Sequence, residues 1–442
     1  MARLEFEPDE FPARVGDALV LIAAAAVVGV LTGLLAVAFL TGLHAGTAWR
    51  LGKMAEWREA APILGIFLTV GGVAASAALG AWAVRRFAPK AAGSGVPYVE
   101  HILRGGGEPD HRHVLPVKFF GGLLALSSGL VLGREGPLVQ MGAVIGERLG
   151  RRLKNIRGAW KALMTCGAGA GLASAFNAPV GGTIFILEEV QRRVTPLSFL
   201  LAATAATTGV FVQRAVFHLA PEYRTVAATT ASAEAVPVFL AFGCLVGLLG
   251  VLYNRLLLAS LSWSRQLASI PIELRAAAIG AAIGLIGWFE PDLTGGGDEL
   301  IAAVFSGGVT AFLLIGAVRV FLGPLSYTAG TPGGLFAPII TIGALCGAAF
   351  GHWQHDAWPA GAEPAAFAVA GMAAFFTATV RAPLTGIVIC LEMTGAYGVF
   401  FPLLATCLGA YLVPTLLRNE PIYDALARFS HPEAYQTTSK KA

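Results

Sequence analysis

The stretch "GLVLGREGPLVQMG" (residues 129–142) places an arginine and a glutamate side by side at the centre of an apolar segment. Glycines flank this charged pair, Arg134 and Glu135, and a proline follows it. Glycine lets the backbone turn sharply, and proline is well tolerated at the first position of a helix, where its missing N–H would be unpaired anyway. The stretch therefore predicts a helix that begins within apolar sequence and carries a carboxylate at its start.

The whole chain has the composition of a membrane protein. Of its 442 residues, 56% are hydrophobic and 13% are charged, whereas soluble domains carry about 25% charged residues. A bilayer-crossing helix needs about 20 apolar residues, and such stretches are predicted at 17–44, 62–84, 197–216, 235–260, 308–326 and 399–417. Shorter apolar segments, interrupted by Gly or Pro, lie at 116–132, 138–149, 162–177, 179–190, 335–351, 365–379 and 383–394. Because broken helices at membrane depth need protein or water around them, we predict an all-α polytopic membrane protein that is a transporter or channel.

The chain also contains an internal repeat. Three pairs of segments align at a nearly constant shift: "FNAPVGGTIFILEE" (176–189) with "VRAPLTGIVICLEM" (380–393), "GREGPLVQMGAVIG" (133–146) with "GLFAPIITIGALCG" (334–347), and, more weakly, "PKAAGSGVP" (89–97) with "PDLTGGGDE" (291–299). Repeated halves with broken segments at corresponding positions indicate a substrate site where the halves meet.

These alignments set the predicted domain boundaries. We expect one transmembrane domain over 17–430, composed of repeat one (about 17–195), repeat two (about 236–395) and terminal helices (399–430). The segments 1–16 and 431–442 are expected to be a cytoplasmic N-terminal segment and a cytoplasmic tail.

The repeat separates two adjacent carboxylates. Glu188 aligns with Glu392 and is therefore expected to serve the scaffold that both halves share. Glu189 aligns with a methionine, so no shared structural need explains it. We expect a functional role for Glu189, the alternative being a plain ion pair with Arg192 or Arg193.

Three glycine-rich breaks suggest what the protein binds: "GSGVP" (93–97), "GREGP" (133–137) and "GGLFAP" (333–338). Each has a proline near the start of an apolar helix, and a helix start presents unpaired N–H groups with roughly half a positive charge. Several starts that converge would hold an anion weakly enough to release it, as transport requires. Ser94 would add a hydroxyl donor. The alternative is that these are ordinary helix breaks in which Ser94 is an N-cap.

In their order and separations, the three breaks resemble the signature stretches of the CLC chloride channel and transporter family. "AGLASAFNAPVGGTIFILEE" (170–189) and "NEPIYDALA" (419–427) also resemble the family, and the similarity extends over residues 85 to 430. The resemblance implies a homodimer with one anion pathway per subunit. It further implies two inverted-topology repeats of about eighteen tilted and broken helices, with the site between them.

The resemblance also assigns anion-binding residues. Ser94 and Tyr423 would supply side-chain hydroxyl groups to a central anion, and Leu335 and Phe336 would supply backbone N–H groups. A serine at position 94 is the residue type that the resemblance associates with a preference for chloride.

Two glutamates carry the predicted gating and proton transfer. Glu135 resembles the external gating glutamate, whose carboxylate can occupy an anion site and leave it on protonation. Burial disfavours the charged form of a carboxylate, which suits this role, and an ionisable residue within the membrane is a functional candidate by default. Glu189 falls where exchangers of the family carry an internal proton-transfer glutamate. Arg134 is expected to lie to one side and shape the field at the outer mouth.

We therefore predict a chloride/proton antiporter, with lipid, chloride and protons as partners, in the bacterial inner membrane. The alternative is a passive voltage- or pH-gated chloride channel on the same scaffold. No enzyme is expected, because a catalytic nucleophile or metal constellation is not evident in the sequence. We expect no cofactor and no metal. The basic clusters end helices and are too short to predict nucleic-acid binding; they indicate cytoplasmic loops.

Overall fold

The computed structural model describes residues 15–107, 109–110, 112–192, 194–217, 223, 231, 233–308, 310–358 and 362–430. Within these ranges the chain forms seventeen α-helices and, apart from isolated backbone bridges, no β-strand. The predicted cytoplasmic segments 1–16 and 431–442 lie outside the described residues, apart from Val15 and Gly16, and so does Arg193.

The first eight helices form one half of the chain. They are α1 (Val15–Ala60), α2 (Pro62–Phe87), α3 (Val96–Leu103), α4 (Val114–Ser127), α5 (Glu135–Gly150), α6 (Ala159–Phe176), α7 (Pro179–Phe185) and α8 (Pro196–Phe217). The next eight are α9 (Val236–Gln266), α10 (Ile272–Phe289), α11 (Asp298–Phe305), α12 (Phe312–Tyr327), α13 (Phe336–Ala357), α14 (Pro364–Val380), α15 (Pro383–Thr394) and α16 (Phe400–Leu416). Helix α17 (Ile422–Ser430) ends the described chain.

The second set of helices repeats the first in order and in detail. The predicted repeat ends, 195 and 395, fall just before α8 and α16. Left-handed glycines precede both α3 and α11, Gly95 at φ 85° and Gly297 at φ 102°. Helices α6 and α14 both end at a non-glycine residue with positive φ, Asn177 and Arg381. A shared backbone at such uncommon positions confirms that the two halves are related.

Glutamates at equivalent positions cap helices of the opposite half. Glu188 accepts hydrogen bonds from the N–H groups of Leu384 and Thr385, at 3.1 and 2.7 Å, at the start of α15. Glu392 accepts hydrogen bonds from Val180 and Gly181, also at 3.1 and 2.7 Å, at the start of α7. Reciprocal contacts of this kind are what a two-fold axis produces. They place Glu188 in the scaffold, as the alignment predicts.

Small residues allow the helices of each half to pack closely. The α5–α6 contact brings Gly142 against Gly167, and a Cβ on either would collide with the carbonyl of the other. The α13–α14 contact repeats this arrangement with Gly343 and Gly371. Close backbone approach through small residues is a common way for helices to pack in lipid.

The helices have the lengths of a multi-pass membrane protein. Seven described helices are long and apolar enough to cross a bilayer: α1, α2, α8, α9, α10, α13 and the helix that includes α16. Three segment predictions were wrong. The span α10 was missed, since Glu273 and Arg275 interrupt the apolar pattern at its start. Helix α13 was predicted to be short, but the polar end "HWQHDA" continues it to 22 residues.

The predicted span at 308–326 also differs from the structure. It becomes α12, which begins only at Phe312 and has 16 residues. Gly308, at the start of the predicted segment, lies in the connection between α11 and α12 instead.

We predict that the reciprocal glutamate caps contribute measurably to stability. Glu188→Ala leaves two backbone N–H groups and the Thr385 hydroxyl without their acceptor. Loss of such a partner costs about 1–3 kcal/mol, so the thermal midpoint in detergent should fall. Glu392→Ala should have the same effect for the same reason.

The exposed Glu290 has no hydrogen bond to its side chain among the described contacts, so Glu290→Ala serves as the control. Equal midpoints for all three variants would contradict the role of the two caps.

Candidate functional site

The starts of α5 and α13 meet at the centre of the molecule. Gly133 N–H donates to the Gly334 carbonyl at 2.8 Å, and Gly334 N–H donates to the Gly133 carbonyl at 2.7 Å. Beyond these starts, α5 packs mainly on α6 and α13 on α14. The two helices thus begin together and continue apart, as expected for halves of opposite orientation.

The Glu135 carboxylate lies directly at the start of α13. Its Oε1 accepts a hydrogen bond of 2.7 Å from the backbone N–H of Phe336, and the residue is fully buried. Its Oε2 has no hydrogen-bond partner in the part of the chain that the structure describes. A Cβ at Gly133 or Gly334 would collide with this carboxylate. Glycine is therefore required at both positions for Glu135 to reach the Phe336 amide.

Aromatic rings enclose the Phe336 end of the site. The Phe336 ring lies between Phe176, 4.6 Å away, and Phe376, 4.1 Å away, measured between ring centroids. All three residues are buried. An apolar enclosure lowers the local dielectric and strengthens each polar contact that remains.

Two buried hydroxyl groups lie close to this carboxylate. The Ser94 Oγ and Tyr423 Oη atoms are both inaccessible to solvent, and among the described residues neither has a hydrogen-bond partner outside this pair. The Tyr423 and Ser94 hydroxyl groups lie within hydrogen-bonding reach of each other, and Tyr423 also interacts electrostatically with Glu135 and Glu189. Buried hydroxyl groups with unused hydrogen-bonding capacity are costly, so a pair of them with no further partner near a buried carboxylate indicates a polar ligand site. Leu335, the fourth predicted anion-binding residue, lies immediately before α13 and is buried.

The structure therefore brings the predicted residues together rather than scattering them. Ser94 precedes α3, Tyr423 lies on α17, and Glu135 and Phe336 start α5 and α13. Phe336 donates a hydrogen bond to Glu135, and the Tyr423 hydroxyl lies beside that of Ser94.

Arg134 contacts the end of α6 and the start of α11. Its Nε donates to the Ala175 carbonyl at 2.9 Å, and its Nη1 lies 3.2 Å from Asp298 Oδ2. The guanidinium group is thus held beside the start of α11, where a neighbouring carboxylate offsets its charge. Asp298 was not among the sequence candidates, although it lies near the end of the third aligned pair of segments.

Glu189 lies in a π-helical turn that follows α7. The turn spans Ile186–Val190, and Gln191 N–H donates to the Ile186 carbonyl five residues earlier, at 2.8 Å. The equivalent part of repeat two continues as the regular helix α15. π-Helical turns are rare overall, and those that occur are often found at functional sites. The half that carries Glu189 thus departs from the shared scaffold at this residue.

Glu189 is buried and paired. Its Oε1 lies 3.4 Å from Arg192 Nη2, so the ion pair considered as the alternative is present. The same guanidinium also reaches Asp424 on α17. The pair therefore belongs to a larger charged network and does not by itself exclude a role in proton transfer.

Sequence reasoning missed two buried cations that hold the loops before α3 and α11. Lys118 Nζ donates to the carbonyls of Ala91 and Gly93, at 3.0 and 2.6 Å. Arg319 Nη2 donates to the Gly295 carbonyl at 2.8 Å, with further bonds from its Nη1. Both cations are fully buried. Each therefore fixes the turn that precedes a broken helix start.

The comparisons with known proteins agree with this geometry. A family model described as voltage gated chloride channel matches residues 76–415. The H(+)/Cl(-) exchange transporter ClcA of Vibrio cholerae is 39% identical over 419 residues, which cover 90% of this chain and 87% of the relative. The protein of the same name from Citrobacter koseri is 37% identical and covers 92% of this chain and 88% of the relative.

Solved structures share the fold. A slow cyanobacterial Cl⁻/H⁺ antiporter superposes with a TM-score of 0.90 at 32% identity, covering 93% of this chain and 98% of that one. A CLC-type fluoride/proton antiporter superposes with a TM-score of 0.75 at 22% identity, covering 91% and 97%. At that identity the second likeness concerns the fold alone.

We predict that Lys118 supports anion binding more than Arg319 does. Lys118→Met releases the turn that carries Ser94, whereas Arg319→Met releases a turn with Gly296 at the aligned position. Halide affinity, measured by titration calorimetry in detergent, should fall about tenfold for Lys118→Met, which corresponds to about 1.4 kcal/mol.

Arg319→Met removes one buried positive charge as well, so it controls for the loss of charge itself. Its halide affinity should stay close to the wild-type value. An equal loss in both variants would show that the cations act only through their charge.

Proposed function

The chain belongs to the voltage gated chloride channel family, the CLC family, and from this premise we propose that it is a chloride/proton antiporter. It is a multi-pass membrane protein. The proposal is that chloride crosses the membrane in one direction while protons cross in the other. It is supported by the relatives named H(+)/Cl(-) exchange transporter and by the structural neighbour described as a Cl⁻/H⁺ antiporter.

The single observation that carries the proposal is the hydrogen bond from Phe336 N–H to Glu135. A carboxylate there uses the same donor that an anion would use, so Glu135 and chloride compete for it. Protonation removes the negative charge of Glu135 and weakens its hold on the N–H group, since charge-assisted hydrogen bonds are the stronger ones. Chloride can then take the donor, and the proton travels on the glutamate.

The remaining anion contacts come from neutral groups. We assign the hydroxyl groups of Ser94 and Tyr423 and the backbone N–H groups of Leu335 and Phe336 to the bound chloride. The start of α13 adds the positive end of its helix dipole. Phe336 N–H and the two buried hydroxyl groups, which have no described partner outside their pair, support this assignment. Binding by dipoles rather than by a full cation keeps the anion exchangeable.

Glu189 is the proposed second proton-accepting residue, after Glu135. It is buried, and it interacts electrostatically with Tyr423, which also interacts with Glu135. Because Glu189 is not among the groups assigned to the anion, a proton that moves from Glu135 to Glu189 would leave the path of the anion there. The π-helical turn, which repeat two lacks, supports a role beyond the scaffold.

A passive chloride channel on the same scaffold is the second candidate. The observation that favours it is the ion pair between Glu189 and Arg192, at 3.4 Å. A cation beside a carboxylate favours the charged form, and a permanently ionised Glu189 would carry no protons. Paired flux measurements separate the two candidates.

We also propose the finer organisation that the sequence suggests. The protein would be a homodimer in the inner membrane of a bacterium, with one pathway per subunit. Its transmembrane domain would span 17–430. The bacterial origin of the relatives supports the location.

The test is paired chloride and proton flux in proteoliposomes. Wild-type protein should use a chloride gradient to drive protons in the opposite direction. Glu189→Gln should reduce proton movement at least about tenfold and retain chloride movement, because the amide cannot exchange a proton in general acid–base fashion. Glu135→Gln should lose proton movement and make chloride flux independent of pH.

The matched control is Glu188→Gln, which alters the adjacent carboxylate that caps α15. This variant should be less stable but keep the wild-type ratio of protons to chloride. Chloride flux without proton movement in the wild type would reject the antiporter and favour the channel.

A further inference from the structure

The Asp424 carboxylate accepts hydrogen bonds from two arginines. It follows Tyr423 on α17. Its Oδ1 accepts a hydrogen bond of 3.2 Å from Arg104 Nη2, and its Oδ2 accepts one of 2.9 Å from Arg192 Nη2. The two arginines lie far apart in sequence from Asp424 and from each other. One carboxylate therefore joins three separate segments of the chain.

Each of the three segments carries a residue of the proposed ion pathway. Arg104 ends α3, whose start follows Ser94, and Arg192 follows the π-helical turn that holds Glu189. Asp424 itself is the neighbour of Tyr423. Arg192 has a left-handed backbone at φ 53°, which is uncommon for a residue with a side chain. Its Nε hydrogen bond of 3.1 Å to the Glu189 carbonyl helps to hold this conformation.

Positive charge is shared within this network. Arg192 Nη2 lies 2.9 Å from Asp424 and 3.4 Å from Glu189, so Asp424 is the nearer of its two carboxylates. Arg104 is similarly shared between Asp424 and the fully buried Glu100, which lies 3.3 Å away. Among the described residues, three carboxylates thus contact two guanidinium groups. One Glu100 oxygen, Oε1, is buried and has no hydrogen-bond partner within the described ranges.

We propose that Asp424 is a positioning residue for proton transfer, because it draws Arg192 away from Glu189. With Asp424 in place, the guanidinium group is divided between two carboxylates and only loosely paired with Glu189. Without Asp424, Arg192 closes on Glu189 and stabilises its ionised form, since an adjacent cation favours the charged state. Proton transfer then slows while the anion pathway stays intact. This inference rests on the proposed antiport function.

The other charged and titratable groups around Glu189 do not replace Asp424 in this role. Glu100, Glu188 and Tyr423 also interact with Glu189 electrostatically. None of them has a described contact with the Arg192 side chain at ion-pair distance, whereas Asp424 does. Asp424 is therefore the group that competes directly for this guanidinium.

A purely structural role for Asp424 makes a different prediction. The carboxylate also ties α17 to α3, so its loss could displace Tyr423 and damage the anion site. In that case chloride flux, halide affinity and proton flux would fall together. In the proposed role only proton flux falls, and the ratio of protons to chloride changes.

The experiment measures paired chloride and proton flux in proteoliposomes for Asp424→Asn, Arg192→Gln and the double variant. Asp424→Asn should lower proton flux about fivefold or more, the scale of coupling within one ion-pair network, and leave chloride flux close to wild type. Arg192→Gln should retain proton flux, because Glu189 then loses its cation. The double variant should recover the proton flux of Arg192→Gln, and Asp424→Glu should behave as wild type.

The matched control is Glu420→Gln. Glu420 also holds an arginine near the C-terminal helix, with its carboxylate 2.7 Å from Arg428, but this pair is exposed and separate from Glu189. The control should leave both fluxes unchanged.

Three outcomes would overturn the inference: wild-type coupling in Asp424→Asn, no recovery in the double variant, or a joint loss of halide affinity and both fluxes. If Asp424→Asn fails to fold, the Arg192→Gln variant tests the proposal by itself. Loss of proton flux in Arg192→Gln would refute the proposal. A wild-type protein that moves chloride without protons would instead reject the proposed function, before any variant is compared.

Discussion

The hydrogen bond between Phe336 N–H and the Glu135 carboxylate is the contact on which the rest of the structure depends. It forms only because two helix starts, one from each half of the chain, are joined through Gly133 and Gly334. It also requires that neither glycine carries a side chain. The repeated fold thus brings a hydrogen-bond donor, Phe336 N–H, from one half of the chain to a carboxylate, Glu135, from the other half. A buried N–H group placed in this way serves a carboxylate or a halide equally well.

Much of this site could be predicted from the sequence, because its determinants are local. The glycine-rich breaks and the prolines after them predict where α5 and α13 start, and the internal alignment correctly separates Glu188 from Glu189. The buried cations Lys118 and Arg319 were missed because each stands alone in an apolar helix. The sequence did contain an indication of both residues, since they occupy equivalent positions in the repeat.

Other features depend on contacts that no local pattern specifies. The Asp424–Arg192 ion pair joins residues 232 positions apart, and nothing in "NEPIYDALA" indicates its partner. The π-helical turn at Glu189 differs from α15 although the two sequences align closely. The length of α13 depended on whether "HWQHDA" continues the helix, which its polar composition does not decide. Tertiary packing, rather than propensity, determines each of these.

The most direct test of the central claim is anomalous diffraction from bromide in crystals of the wild type and of Glu135→Gln. If the carboxylate and the anion share one donor, bromide should lie at hydrogen-bonding distance from the Phe336 amide in the variant. In the wild type at high pH, the Glu135 carboxylate should occupy that position instead. Bromide at the Phe336 amide together with an ionised Glu135 still bonded to it, or bromide bound only elsewhere in the variant, would contradict the account.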